Sequence, residues 1–171
     1  MLRVSVAEEV SEDLLEAVQR LLPQLSRSAA QPTVKEVEEM VTSPATVLLV
    51  AREDEPAVLA AMSAGAEGAP DEARALTARH PDGPIVGILT LVTFRIPTGV
   101  RAWIEDVVVD TRLRGRGAGE ALTRAALDLA GARGALTVDL TSRPTREAAN
   151  RLYQRVGFEL RQTNVYRYRL G

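Results

Sequence analysis

The six residues Arg114 to Gly119, read Arg-Gly-Arg-Gly-Ala-Gly, are the stretch of this chain best suited to hold an anion. They follow a β-branched run, Val107-Val108-Val109, and precede helical periodicity at Ala121, Leu122, Ala125, Ala126 and Leu129, which predicts a strand-to-helix turn. Glycines at 115, 117 and 119 let backbone N–H groups approach a ligand closely. The helix start behind them presents unpaired N–H donors at the positive end of the helix dipole. Arg112, Arg114 and Arg116 are expected to add full charges at the same place, so a diphosphate would fit.

What the turn lacks narrows the ligand. A P-loop ends in Gly-Lys-Ser/Thr, with the Lys reaching the terminal phosphates and the hydroxyl holding magnesium; here Gly119 is followed by Glu120, Ala121 and Leu122. A dinucleotide fingerprint, G-x-G-x-x-G, begins at Gly115 and Gly117 but meets Glu120 where its third glycine belongs. The spacing that does fit is Arg-x-x-Gly-x-Gly at Arg114, Gly117 and Gly119. Ile104-Glu105-Asp106-Val107-Val108-Val109-Asp110 stands before it, and Asn150-Arg151-Leu152-Tyr153-Gln154-Arg155-Val156-Gly157-Phe158 after it. In this order the motifs resemble the acetyl-CoA site of the GNAT superfamily of N-acetyltransferases, and the resemblance covers nearly the whole chain.

The resemblance implies acetyl-CoA as co-substrate, lying where the fourth and fifth strands splay apart, near Val109 and Leu140. Along the strand Val107-Val108-Val109, backbone groups of Val107 and Val109 would pair with the pantetheine arm. N–H groups of Arg114, Gly115, Arg116, Gly117, Ala118 and Gly119 would hold the diphosphate. Three valines in a row are equally a plain buried strand, which is compatible, since side chains pack while the backbone binds.

Acetyl transfer to an amine poses two proton problems. An alkyl ammonium has a pKa of about 10.4, so at pH 7 only about one molecule in a thousand is nucleophilic, and the departing thiolate needs a proton or its equivalent. Glu105 is the candidate base: similar proteins carry an acid or histidine on this strand, just before the pantetheine-binding backbone. Strict alternation puts Trp103, Glu105, Val107 and Val109 on one face and Ile104, Asp106 and Val108 on the other. A Glu paired with an arginine or held by water is the plainer alternative. Tyr153 is the candidate acid, because a phenol of pKa about 10 is protonated at pH 7. Asn150 lies one helical turn earlier and would bond the cofactor or an ordered water. With no cysteine in the chain, attack is expected to be direct, without an acetyl-enzyme.

The elements that must position these residues can be read in order. Arg3 to Val6 alternates as a short strand, and Ser11 caps a helix with Leu14, Leu15, Val18, Leu21, Leu22 and Leu25 on its buried stripe and Pro23 as a late kink or stop. Thr33 and Glu36 have capping-box spacing ahead of a shorter helix, and Thr46 to Ala51 is a buried strand. Residues 53–84 are expected to form a loop insertion, with at most a weak helix near Asp71 to Arg79 and the lone histidine, His80, expected to be solvated. Ile85 to Phe94 and Ala102 to Val109 should be antiparallel neighbours across a link at Arg95 to Arg101. After the glycine turn and its helix come a strand at Ala135 to Leu140, a helix at about Thr145 to Val156, and a closing hairpin of Phe158 to Arg161 with Val165 to Leu170. The order β-α-α-β-β-β-α-β-α-β-β, which is also that of the GNAT fold, describes an α/β (α+β) domain of residues 1–171. Its mixed, mostly antiparallel sheet would have about seven strands flanked by helices.

Composition sets outer bounds. At 171 residues, 46% hydrophobic and 26% charged, the chain is globular and long enough for its own core. The absence of cysteine excludes disulfides and zinc-thiolate sites, and no metal is expected. No leader or long apolar run is visible, so a cytoplasmic protein with no membrane association is expected. Residues 1–106 hold 9 basic and 17 acidic side chains, and residues 107–171 hold 12 basic and 6 acidic, so the glycine turn lies in the basic half. That surface suits an anionic cofactor; a nucleic-acid patch is disfavoured by 4% aromatic content and by the acidic other half. A non-catalytic CoA-binding sensor or interaction module remains the alternative, although it would need neither Glu105 nor Tyr153. The partner expected is a small-molecule or peptide amine, and homodimers are common in the family.

Overall fold

The computed structural model describes residues 1–26, 28–54, 58 and 82–170. They fall into two compact units, Met1–Thr141 and Ser142–Gly171.

The first unit is built on strands β1 (Leu2–Val6), β2 (Thr46–Glu53), β3 (Ile85–Ile96), β4 (Gly99–Val109) and β5 (Ala135–Leu140). They form one mixed sheet in sequence order, antiparallel from β1 to β4 and parallel between β4 and β5. The parallel step needs a crossover, supplied by helix α3 (Ala118–Ala132). Helices α1 (Glu12–Leu25) and α2 (Val34–Thr42) join β1 to β2.

Local sequence accounts for these elements. Thr33 and Glu36 form the expected capping box: the Glu36 N–H donates to Thr33 Oγ1 at 3.2 Å, and the Thr33 N–H donates to Glu36 Oε2 at 2.7 Å. Pro23 does not stop α1, which runs on to Leu25. The link expected over Arg95–Arg101 is shorter, because β3 extends to Ile96 and β4 begins at Gly99, leaving Pro97 and Thr98 as the turn. Buried Leu14, Ala17, Val18 and Leu21 of α1 and Val37 of α2 pack on Leu48, Val50, Ile88 and Val108 of the sheet. Each large apolar side chain so buried contributes about 1.5–3 kcal/mol. On the other face α3 lies against β2, β3 and β4, with Leu122 and Ala126 buried.

β2 ends at Glu53 and β3 begins at Ile85. Most of the expected insertion, the weak helix near Asp71 to Arg79 and His80 included, lies outside the described residues.

The second unit contains helix α4 (Glu147–Val156), stopped at Gly157 in a left-handed conformation. The hairpin expected at Phe158–Arg161 and Val165–Leu170 does not form, so the sheet has five strands among the described residues rather than about seven. Leu160, Val165, Tyr166, Tyr168 and Leu170 are exposed. An isolated two-stranded ribbon is marginal in water, and alternation alone does not provide a surface to pair on.

Candidate functional site

The site takes shape where β4 outruns β5. Their parallel ladder runs from Val100 opposite Ala135 to Ile104 opposite Leu140, the last residue of β5. β4 continues for five residues, so Val107, Val108 and Val109 have no β5 partner among the described residues. Antiparallel pairing to β3 persists on the other side, with Val108 opposite Ile88 and Val109 opposite Gly87. Val108 packs into the α1 core while this backbone edge has no strand partner among the described residues. An extended ligand could add there as a strand.

Asp106 changes the faces expected for this strand. It adopts a positive φ of 52°, tolerated by Asp better than by most residues, and two residues, Asp106 and Val107, stand opposite Leu89 alone. The resulting bulge reverses the alternation beyond it. Glu105 lies opposite Thr90 and Trp103 opposite Val92, on the face that carries Ile88 and Val108, whereas Val109 pairs with Gly87 on the α3 side. Glu105 therefore shares a face with Trp103, as expected, but not with Val107 and Val109. Its carboxylate is exposed rather than buried, and Oε1 accepts the indole N–H of Trp103 at 2.8 Å. No ion pair to an arginine is present among the described residues.

From β4 the chain passes through Asp110 and a 3-10 turn, Thr111–Leu113, to the glycine loop. Gly115 and Gly117 have φ of 81° and 90°, which a side chain would strain, and α3 starts directly after them. Gly117 stands at the N-cap of α3 and, as glycine, offers no side-chain cap. The first intrahelical bond is that of the Ala121 N–H to the Gly117 carbonyl at 2.9 Å, so the N–H groups of Ala118, Gly119 and Glu120 precede any helical acceptor. Such a helix start offers donors that an anion could accept from.

The three arginines of the turn do not act alike. Arg112 is held by Asp110, donating from Nε to Oδ1 at 3.0 Å and from Nη2 to Oδ2 at 2.8 Å. Arg116 donates from Nε and Nη2 to Oε1 of Glu53, at 3.2 and 3.1 Å. Both carboxylates are buried, at 0% and 4% exposure, and leaving a buried charge without its partner costs about 3–5 kcal/mol. A solvent-facing phosphate would not repay that, so these two arginines stay where they are. Arg114 is exposed and makes no ion pair among the described residues.

Asp110, Arg20 and Glu53, which fasten the candidate site to the rest of the fold, are the residues that the sequence did not reveal. Arg20 of α1 donates to Asp110 Oδ2 and, at 2.6 Å, to the Ile85 carbonyl, while Gln24 accepts the Thr111 N–H at 2.8 Å. Loss of solvent pushes the Asp110 pKa up, but the Arg112 side-chain and backbone hydrogen bonds and the charges of Arg112 and Arg20 outweigh it, bringing the value from 3.8 to about 2. The strand end that leads into the loop is thereby fastened to α1. Only the chemistry of an acid beside an arginine, Asp110-x-Arg112, hinted at this in the sequence.

In the second unit Asn150 and Tyr153 lie one turn apart on α4, as expected. The Asn150 amide donates to the carbonyls of Arg143 at 3.0 Å and Pro144 at 3.4 Å, closing the loop before the helix and leaving Oδ1 to accept from elsewhere. Tyr153 meets Phe158 edge to face, with centroids 5.8 Å apart. Burial raises the phenol pKa above its ordinary value, opposed by the charge of Arg146, so the hydroxyl stays protonated at neutral pH.

Among the described residues no cluster of three His, Cys, Asp or Glu could hold a metal, and no helix is long and apolar enough to cross a membrane. Comparison with protein families matches residues 36–158 to the acetyltransferase (GNAT) family. No curated protein matches the chain. Solved structures with the same fold include an aminoglycoside acetyltransferase from an uncultured soil metagenomic sample, in complex with sisomicin, with 16% identity over 99% of this chain and 97% of that one and a TM-score of 0.71. A ribosomal-protein-alanine N-acetyltransferase from Brucella melitensis biovar Abortus 2308 has 18% identity over 100% of both chains and a TM-score of 0.68. Glucosamine-6-phosphate N-acetyltransferase from Arabidopsis thaliana has 19% identity over 97% of this chain and 98% of that one, with a TM-score of 0.68.

Proposed function

Because this chain belongs to the GNAT acetyltransferase family, whose members use acetyl-CoA as co-substrate, we propose that it transfers acetyl from acetyl-CoA to a primary amine by direct attack. The observation that carries this reading is the open backbone edge at Val107–Val109, which runs through Asp110 into an uncapped helix start flanked by Arg114. Backbone groups of that edge would hold the pantetheine arm. The N–H groups from Arg114 to Gly119 would hold the diphosphate, with the Arg114 guanidinium beside them and Asn150 Oδ1 as a further acceptor. The cofactor supplies an acyl group already activated as a thioester.

The remaining chemistry falls to side chains. Glu105 takes one proton of the acceptor ammonium, directly or through water, which frees the nitrogen lone pair to form the C–N bond. Tyr153 gives its proton to the departing sulfur as the C–S bond breaks and is reprotonated, through water, by the second proton that the nitrogen sheds, while Glu105 returns its proton to solvent. Residues 1–171 act as one domain in this reading. The acceptor is an amine on a small molecule or a protein; the aminoglycoside, ribosomal-protein alanine and amino-sugar enzymes named above span that range.

An acetyl-CoA titration followed by thermal unfolding, and then thiol release with a panel of amines, tests the proposal. At about 100 times its dissociation constant the ligand should stabilise the fold by about 2.7 kcal/mol, a shift of several degrees. No shift with acetyl-CoA or CoA would refute the cofactor assignment. A shift without thiol release from any amine would favour a CoA-binding module. For Tyr153→Phe we expect turnover to fall at least about tenfold with acetyl-CoA binding nearly intact, since a placed acid is worth about 10² or more. An equal loss of binding would reduce Tyr153 to packing against Phe158.

A further inference from the structure

Glu53 ends β2 on the sheet, where it pairs with Leu2 of β1 and its N–H donates to the Pro84 carbonyl at 3.2 Å. Its side chain crosses to a residue 63 positions later, Arg116, in the middle of the glycine loop. The loop has buried anchors at Leu113 and Ala118, but Arg114, Gly115, Arg116 and Gly117 between them are exposed. A Cβ placed on Gly115 or Gly117 would meet no atom of the described residues within 4 Å, so their packing does not hold the loop at either glycine. Two glycines in an unpacked loop leave it many conformations unless something ties it down.

We propose that Glu53 is a positioning residue for the diphosphate-binding loop and acts through Arg116, which it holds to the sheet. The inference rests on the reading of the loop as the acetyl-CoA site. Glu53 Oε1 takes both guanidinium bonds, whereas Oε2 is buried with no hydrogen-bond partner among the described residues. A buried acceptor left open lowers stability, so the fold alone gives no reason for a carboxylate here. The pair does give the loop a fixed shape before ligand arrives. Its N–H groups then need not be ordered on binding, and affinity rises by the ordering that is avoided.

The test is a set of CoA dissociation constants, measured by calorimetry, for the wild type, Glu53→Gln, Arg116→Gln, Arg116→Lys and the Glu53→Gln/Arg116→Gln double variant, with kcat and both KM values alongside. Each Gln variant is expected to weaken CoA by about tenfold with kcat and the acceptor KM little changed, the double variant to match the single ones, and Arg116→Lys to recover most of the loss. Val37→Ala, a core change on α2, should lower the melting temperature and leave the CoA constant alone, which separates positioning from general destabilisation. Wild-type affinity in Glu53→Gln, tighter binding through a released Arg116, or additive losses in the double variant would each overturn the inference while leaving the cofactor reading intact. Failure of the wild type itself to bind CoA would overturn both.

Discussion

Glu105→Gln is expected to lower kcat by about 10²- to 10⁴-fold, the range a well-placed base supplies, with CoA binding unchanged. The glutamate stands on β4 just before the open edge, on the α1 face, with its carboxylate exposed and one oxygen engaged by the Trp103 indole N–H. The other oxygen is left to act on an acceptor. Gln keeps the shape and can still accept from Trp103 but cannot take a proton. Because the deficit arises from the protonated amine, it should narrow as pH rises toward the amine pKa of about 10.4, where free base becomes plentiful without help. Steady-state thiol release across pH measures both effects. Unchanged kcat at neutral pH would remove Glu105 from the chemistry, and a deficit constant with pH would assign it to acceptor binding instead.

Asp110→Ala should destabilise the fold by about 3–5 kcal/mol, because it strands the guanidinium of Arg20 and part of that of Arg112 around a fully buried position. At this chain length that amounts to roughly 10 °C in Tm. Asp110→Asn isolates the charge. Asp110 is a carboxylate whose folded pKa, about 2, lies below its ordinary value of 3.8, so its charge stabilises the fold fully above pH 3.8 and this contribution is lost as pH falls through about 2. The linkage is worth about 2 kcal/mol. Denaturant unfolding of wild type and Asp110→Asn should show a constant gap from pH 7 to about 5 that closes toward pH 2. A gap that widened on acidification would contradict the assignment of the charge.

Features set by near neighbours were legible in the sequence. The Thr33–Glu36 capping box, the α1 stripe, the buried β2 run and the strand–glycine–helix order all depend on residues within a turn or two, and all are present. The shared face of Trp103 and Glu105 also follows from simple alternation, although the bond between them does not. What escaped depends on partners far along the chain. The arginines at 112 and 116 looked like ligands for an anion, and nothing local says that the first belongs to a buried aspartate and the second to Glu53. The bulge escaped for a different reason: one extra residue leaves composition and propensity untouched, and its sole trace is an aspartate, able to take a positive φ, inside an apolar strand. The terminal hairpin shows the converse error, in which alternation at Val165–Leu170 was legible but a pairing surface was not.

The bulge at Asp106 works on β4 as a frameshift works on a reading frame. Glu105 and Asp110 are five positions apart, an odd interval, which in an unbroken strand would send them to opposite sides of the sheet. The inserted residue turns the odd interval into an even one. Both carboxylates therefore face α1, the one exposed beside Trp103 and the other sealed against Arg20. α1 thus sets the phase of β4 from its far end. Regular pleating with every residue of β4 retained would carry Asp110 to the α3 side, away from its arginine. Deleting position 106 would instead leave Glu105 and Asp110 four apart and both facing α1, so the bulge is what lets a strand of this length keep the buried ion pair.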